Sequence, residues 1–132
     1  MGAVSLIGRR VLVVDDDVAQ ASALATLLRL DGIDATHEHV ATRALEKLLA
    51  DPPDVVVVDL KMPDLMGPDL LAQLRARHPK VPAILLTGYE EIDPRVRAAT
   101  TTSGVAYVAK PVEWNQLMTA LIHVLTVAGP VA

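Results

Sequence analysis

Val11-Leu12-Val13-Val14-Asp15-Asp16-Asp17 is a four-residue aliphatic run that stops at three consecutive carboxylates. A run this short and this continuously apolar suits a strand buried on both faces. The pattern returns at Val55-Val56-Val57-Val58, followed by Asp59, and at Ala83-Ile84-Leu85-Leu86, followed by Thr87. It returns again at Val105-Ala106-Tyr107-Val108, with Lys110-Pro111 close behind. A fifth, more alternating strand is expected over 33–40, carrying His37 and His39 on one face as an edge strand would.

Between these runs the apolar residues take helical spacing. Ala21, Leu24 and Leu28 form one stripe, and Ala41, Leu45, Leu48 and Leu49 a second. Leu70, Leu71 and Leu74 follow Gly67-Pro68, and Leu117, Leu121, Val124 and Leu125 form the last. Asp17 is expected to cap the first helix, and Asp31-Gly32 to close it. Asp93-Pro94 reads as the start of a fourth helix. Strand and helix alternate five times, which predicts an α/β fold with a five-stranded parallel, doubly wound (βα)5 sheet. Residues 1–132 are expected to form one domain, with its core over about 9–127.

Hydrophobic residues make up 52% of the 132, with no Phe, one Trp and two Tyr, so the core must be aliphatic. The net charge of −4 and the lack of a basic run argue against nucleic-acid binding through this domain. The absence of Cys excludes disulfides and thiolate metal sites and fits a reducing, cytoplasmic setting. The first ten residues do not follow a signal-peptide pattern, and no window is long and apolar enough to span a membrane.

In a doubly wound sheet the reactive groups gather at the carboxyl ends of the strands. Asp15, Asp16, Asp17, Asp59, Thr87 and Lys110 all stand there. Crowded carboxylates repel one another and need a cation. A hard divalent ion such as Mg²⁺ suits oxygen ligands, and Lys110 adds a second positive charge. A carboxylate held by a cation and an ammonium can act as nucleophile toward phosphorus. Metal, Lys110 and the Thr87 hydroxyl would then meet the charge on the phosphoryl oxygens.

Four segments together are similar to the receiver domains of two-component response regulators. They are Val11 to Asp17; Val55 to Asp59 with Leu60-Lys61-Met62-Pro63-Asp64-Leu65-Met66-Gly67; Leu85-Leu86-Thr87-Gly88-Tyr89; and Tyr107-Val108-Ala109-Lys110-Pro111. Their spacings are close to the family's, and the resemblance covers about residues 9 to 127. It implies a flavodoxin-like receiver fold and a phosphoacceptor signalling module. It further implies that Asp59 accepts a phosphoryl group from the His of a sensor histidine kinase or His-phosphotransfer protein. Asp16 would bind Mg²⁺ (or Mn²⁺) directly, Asp15 through water, and the Lys61 backbone carbonyl would complete the protein ligands beside Asp59. Thr87 and Lys110 would contact the phosphoryl group, and Tyr107 would be the aromatic switch that turns inward as Thr87 moves. The output face would be the fourth helix, fifth strand and fifth helix, through which a dimer is also implied. Such a domain is not an enzyme beyond catalysing its own phosphorylation and dephosphorylation.

Departures from the pattern are Val112, Gly88 and the Thr100-Thr101-Thr102-Ser103-Gly104 stretch. They spare the phosphorylation residues and bear on the fourth helix and the output face. Lys61 and Tyr89 stand two residues beyond Asp59 and Thr87 and are expected to screen the phosphoryl group from water. Trp114 could face a partner or anchor local packing. His37, His39, His78 and His123 lack metal-ligand spacing. An aspartyl phosphohydrolase would want an acid at position 61, where Lys61 stands. A nucleotide-binding module would need a Gly-rich loop where Asp15-Asp16-Asp17 stands. A pseudo-receiver that is folded but not phosphorylated stays open, as does the choice between a stand-alone receiver and part of a larger regulator or hybrid kinase. The sequence names neither the kinase nor the output partner.

Overall fold

The computed structural model describes residues 5–88 and 104–128. The helix expected from Asp93-Pro94, the Thr100–Ser103 stretch and Tyr89 lie outside them. Five parallel strands, β1 (Arg10–Val14), β2 (Asp34–Glu38), β3 (Val55–Asp59), β4 (Ala83–Thr87) and β5 (Val105–Ala109), form one sheet in the order β2-β1-β3-β4-β5. The described helices are α1 (Val18–Leu30), α2 (Ala41–Ala50), α3 (Gly67–Arg77) and α4 (Trp114–Ala128), the last being the expected fifth helix.

The aliphatic runs are continuous because both sheet faces are covered. Leu12, Val14, Val56, Val58, Ala83 and Leu85 join Ala41, Ala44, Leu48, Leu70 and Leu74 of α2 and α3 in one core layer. Their alternate neighbours Val11, Val13, Val55, Val57, Ile84 and Leu86 join Ala21, Ala25, Leu28, Leu117, Leu121 and Val124 of α1 and α4 in the other. Strand residues alternate faces with period two, so every position of these runs meets a helix.

β2 is an edge strand, as expected, but it ends at Glu38, so His39 lies beyond it rather than on it. The alternation breaks down at Glu38, a charged residue only 6% exposed. Asp17 does cap α1, its carboxylate accepting from the Gln20 N–H at 3.1 Å. Gly32 follows the helix at φ +83°, a backbone that side chains rarely adopt. Trp114 opens α4, half-buried against the α1–α4 core layer, which makes it a packing anchor.

Candidate functional site

The sheet order reverses direction between β1 and β3, and there the carboxyl ends of two adjacent strands diverge into a crevice. β1 delivers Asp15 and Asp16 to it, and β3 delivers Asp59. One carboxylate oxygen from each of the three lies within 4.8 Å of the others. Asp15 and Asp59 are buried, at 3% and 9% exposure, whereas Asp16 faces solvent.

Lys110 crosses from the end of β5 to meet them. Its Nζ lies 3.1 Å from Asp59 Oδ2 and donates to Asp15 Oδ2 at 3.3 Å. Burial works against the Lys110 charge, but the hydrogen bond to Asp59 and the charges of Asp59 and Asp15 outweigh it and hold its pKa above the ordinary lysine range. Asp15 is fixed from its other oxygen, which accepts from the Asp17 N–H at 3.0 Å. Thr87 ends β4, buried at 2% exposure, and its carbonyl accepts from the Lys110 N–H at 2.6 Å. The Lys110–Pro111 peptide is cis.

Three carboxylates against one ammonium leave the cluster with net negative charge. Further positive charge would relieve the mutual repulsion of these carboxylates. Its oxygen-only donors and its position, half buried and half open to solvent through Asp16, fit a hard divalent cation.

The model of the response regulator receiver domain family matches residues 11–122. The chain belongs to that family. Among curated relatives, the receiver is 34% identical over 119 residues to the probable transcriptional regulatory protein TcrX of Mycobacterium tuberculosis, covering 90% of this chain and 50% of TcrX. It therefore spans half the length of that relative. Among solved structures, it superposes on a CheY-like receiver domain protein from Methanospirillum hungatei with a TM-score of 0.81 and 27% identity, covering 92% of this chain and 96% of that one. The receiver domain of the Francisella response regulator 1452 gives a TM-score of 0.78 and 28% identity, with 90% and 98% covered.

Asp15, Asp16, Asp59 and Lys110, named from sequence, thus converge in one crevice of the receiver, with Thr87 joined to Lys110 through the backbone. Tyr107 lies on β5 opposite Leu85, with its side chain 37% exposed. Lys61 is exposed in the loop after β3. Among the described residues no helix is long and apolar enough to cross a membrane.

Three further residues support the site, and two of them, Glu38 and Asp64, were given no role from sequence. Glu38 is buried at the end of β2 with Lys47 Nζ 2.8 Å away, and its backbone carbonyl accepts from the Asp15 N–H at 3.1 Å. Burial opposes the Glu38 charge, but hydrogen bonds from Lys47 and from the Val40 and His39 N–H groups prevail and depress its pKa. Asp64 accepts from the Ala41 N–H at 3.3 Å and the Thr42 N–H at 2.9 Å. Gly67 is required by close approach: a Cβ there would collide with the Asp59 carbonyl oxygen and lie 3.1 Å from Leu60 Cα. The Met-Pro…Gly pattern signalled Gly67, while nothing in the local sequence signalled the other two.

Proposed function

We propose that this receiver, residues 1–132 taken as one domain, is phosphorylated on Asp59 in a magnesium-dependent reaction. The observation that carries the reading is the convergence of Asp15, Asp16 and Asp59 on one another with Lys110 Nζ 3.1 Å from Asp59. Asp16 would hold the ion directly, Asp15 through water, and Asp59 and the Lys61 carbonyl would complete the protein ligands. The ion, Mg²⁺ or Mn²⁺, supplies charge neutralisation at the phosphoryl oxygens when bound.

The chain's own groups do the rest. An Asp59 oxygen attacks phosphorus and forms the acyl-phosphate bond as the donor's bond to phosphorus breaks. The bonding electrons leave with the donor, a His nitrogen of a sensor histidine kinase or phosphotransfer protein. Lys110 loses its ion pair with Asp59 as that carboxylate is esterified and is then positioned to pair with a phosphoryl oxygen. The Thr87 hydroxyl donates to another. The movement of Thr87 and Tyr107 toward the new group biases the β5 and last-helix face toward its output partner or a second copy. Catalysis extends no further than the domain's own phosphorylation and dephosphorylation, and the cytoplasm is where such a donor would meet it.

The donor's approach is supported by the surface beside the site. A cleft of about 310 Å³ is lined by Asp15, Gln20, Leu24, Leu27, Lys110 and Trp114. The side of α1 that lines this cleft carries Leu24 and the half-exposed Leu27. An apolar strip running up to a reactive carboxylate suits a partner helix that presents a phosphohistidine.

Intact-mass measurement after incubation with a small acyl-phosphate donor tests the proposal. One added phosphoryl group, requiring Mg²⁺ and absent from Asp59→Asn, is expected. No added mass under any condition would overturn it in favour of a pseudo-receiver.

A further inference from the structure

The loop from Leu60 to Met66 has no regular secondary structure, yet on the reading above it must hold the Lys61 carbonyl at a defined place. It is pinned at three points. Met62 is 4% exposed, sunk in the α2–α3 core layer. The Gly67 N–H donates to the Leu60 carbonyl at 2.9 Å. Asp64 reaches across to the first turn of α2, where it receives the Ala41 and Thr42 N–H groups.

Helix α2 depends on that reach. Its N-cap residue is Val40, which offers no side-chain hydrogen bond. The N–H groups of a first helical turn have no intrahelical acceptors and carry the positive end of the helix dipole. Here Asp64 supplies acceptors for two of them, and buried Glu38 accepts the Val40 N–H at 3.1 Å. Glu38 is also the residue whose carbonyl receives the Asp15 N–H. The loop that carries Lys61 and the strand end that supports Asp15 are thus both tied to the N-terminus of α2. That helix is itself anchored by buried Ala41, Ala44 and Leu48.

We infer that Asp64 is a positioning residue for the metal site, clamping the Lys61 carbonyl in place through α2. The inference rests on the proposed magnesium-dependent chemistry and extends it. Hydrogen bonds from Thr42 and Ala41 also keep the Asp64 carboxyl below its usual pKa despite some desolvation, so the clamp is charged. Without it, the loop keeps its Met62 and Leu60 anchors, but its outer half loses its tie to a rigid element.

The test is a calorimetric Mg²⁺ titration with no phosphoryl donor present, run well below each variant's unfolding transition. Asp64→Ala should bind Mg²⁺ at least about tenfold more weakly than wild type, the scale of losing an outer-shell partner. A second variant, Asp64→Ala with Val40→Ser, gives α2 a cap of its own at a residue already in N-cap geometry. It should regain thermal stability and leave the Mg²⁺ affinity low. Unchanged affinity in Asp64→Ala, or affinity restored by Val40→Ser, would overturn the inference. A wild type that binds no Mg²⁺ overturns both this inference and the proposed function. A wild type that binds Mg²⁺ and is phosphorylated, beside an Asp64→Ala that binds equally well, overturns only the former.

Discussion

The Lys110 ammonium lies 3.1 Å from Asp59 Oδ2, although the two residues arrive on different strands, β5 and β3, with β4 between them. The pair sets two opposed effects at one site. Lys110 offsets the carboxylates and so would compete with a metal ion for them, yet in the proposed reaction it would also meet charge on the phosphoryl group. Lys110→Met should therefore bind Mg²⁺ more tightly than wild type while being phosphorylated about 10²–10³-fold more slowly, the usual scale for one lost transition-state donor. Calorimetry and the rate of phosphoryl incorporation check the two halves separately. Slower phosphorylation with weaker Mg²⁺ binding would point to a collapsed site instead.

Glu38 makes stability depend on acid. Its folded-state pKa is depressed, because hydrogen bonds from Lys47 and two backbone N–H groups outweigh its burial. The stabilisation is thus fully present above the ordinary glutamate range and is lost as pH falls through the depressed value. Glu38→Gln should cost stability near neutrality and flatten the decline in unfolding free energy as pH falls through and below the ordinary glutamate range. Denaturant titrations across that range measure it. Because Lys47 is mostly exposed, Lys47→Met should cost less, about 1 kcal/mol or under.

Gly67 allows the start of α3 to lie against the backbone of Asp59. In Gly67→Ala the new Cβ meets the Asp59 carbonyl oxygen and Leu60 Cα, both main-chain atoms that cannot swing aside. A loss of about 1–3 kcal/mol is expected, as for other overpacked sites. Phosphorylation should slow beyond what the lost stability explains, because the strained atoms include those of Asp59, the proposed phosphoacceptor. Thermal unfolding and single-turnover phosphorylation at low temperature separate the two effects.

Lys61 is exposed two residues past Asp59, the place from which it is expected to screen the phosphoryl group from water. Lys61→Ala or Lys61→Glu should shorten the lifetime of phosphorylated Asp59, measured as decay of the added mass after donor removal. An unchanged or longer lifetime would remove Lys61 from that role. Its expected partner in screening, Tyr89, lies outside the described residues.

Each acidic or basic residue of the crevice was legible as the group that follows an aliphatic run, because a parallel sheet puts all strand ends on one rim. Asp17 was legible as a cap for the same local reason. Asp64 and Glu38 were not. Asp64 serves an α2 N-terminus 22 and 23 residues earlier in the chain, and by itself reads as one more polar loop residue. Glu38 sits where an edge strand commonly shows charge to solvent, and its burial is made tolerable by Lys47 arriving from α2 together with the His39 and Val40 N–H groups. Trp114 could not be placed from sequence, since an amphipathic ring suits a partner face and a packing joint equally well.

The sequence alone determined the alternation of strand and helix, the two-sided burial of the sheet and the set of residues on its reactive rim. Those follow from periodicity and strand-end position, which are local properties. The tertiary structure decided which of those rim groups touch and what steadies them. Lys110 pairs with Asp59 and Asp15 while its N–H meets the Thr87 carbonyl, and α2 takes its capping carboxylates from two other segments. Such contacts join residues far apart in the chain and depend on sheet order and helix placement, which no local pattern encodes.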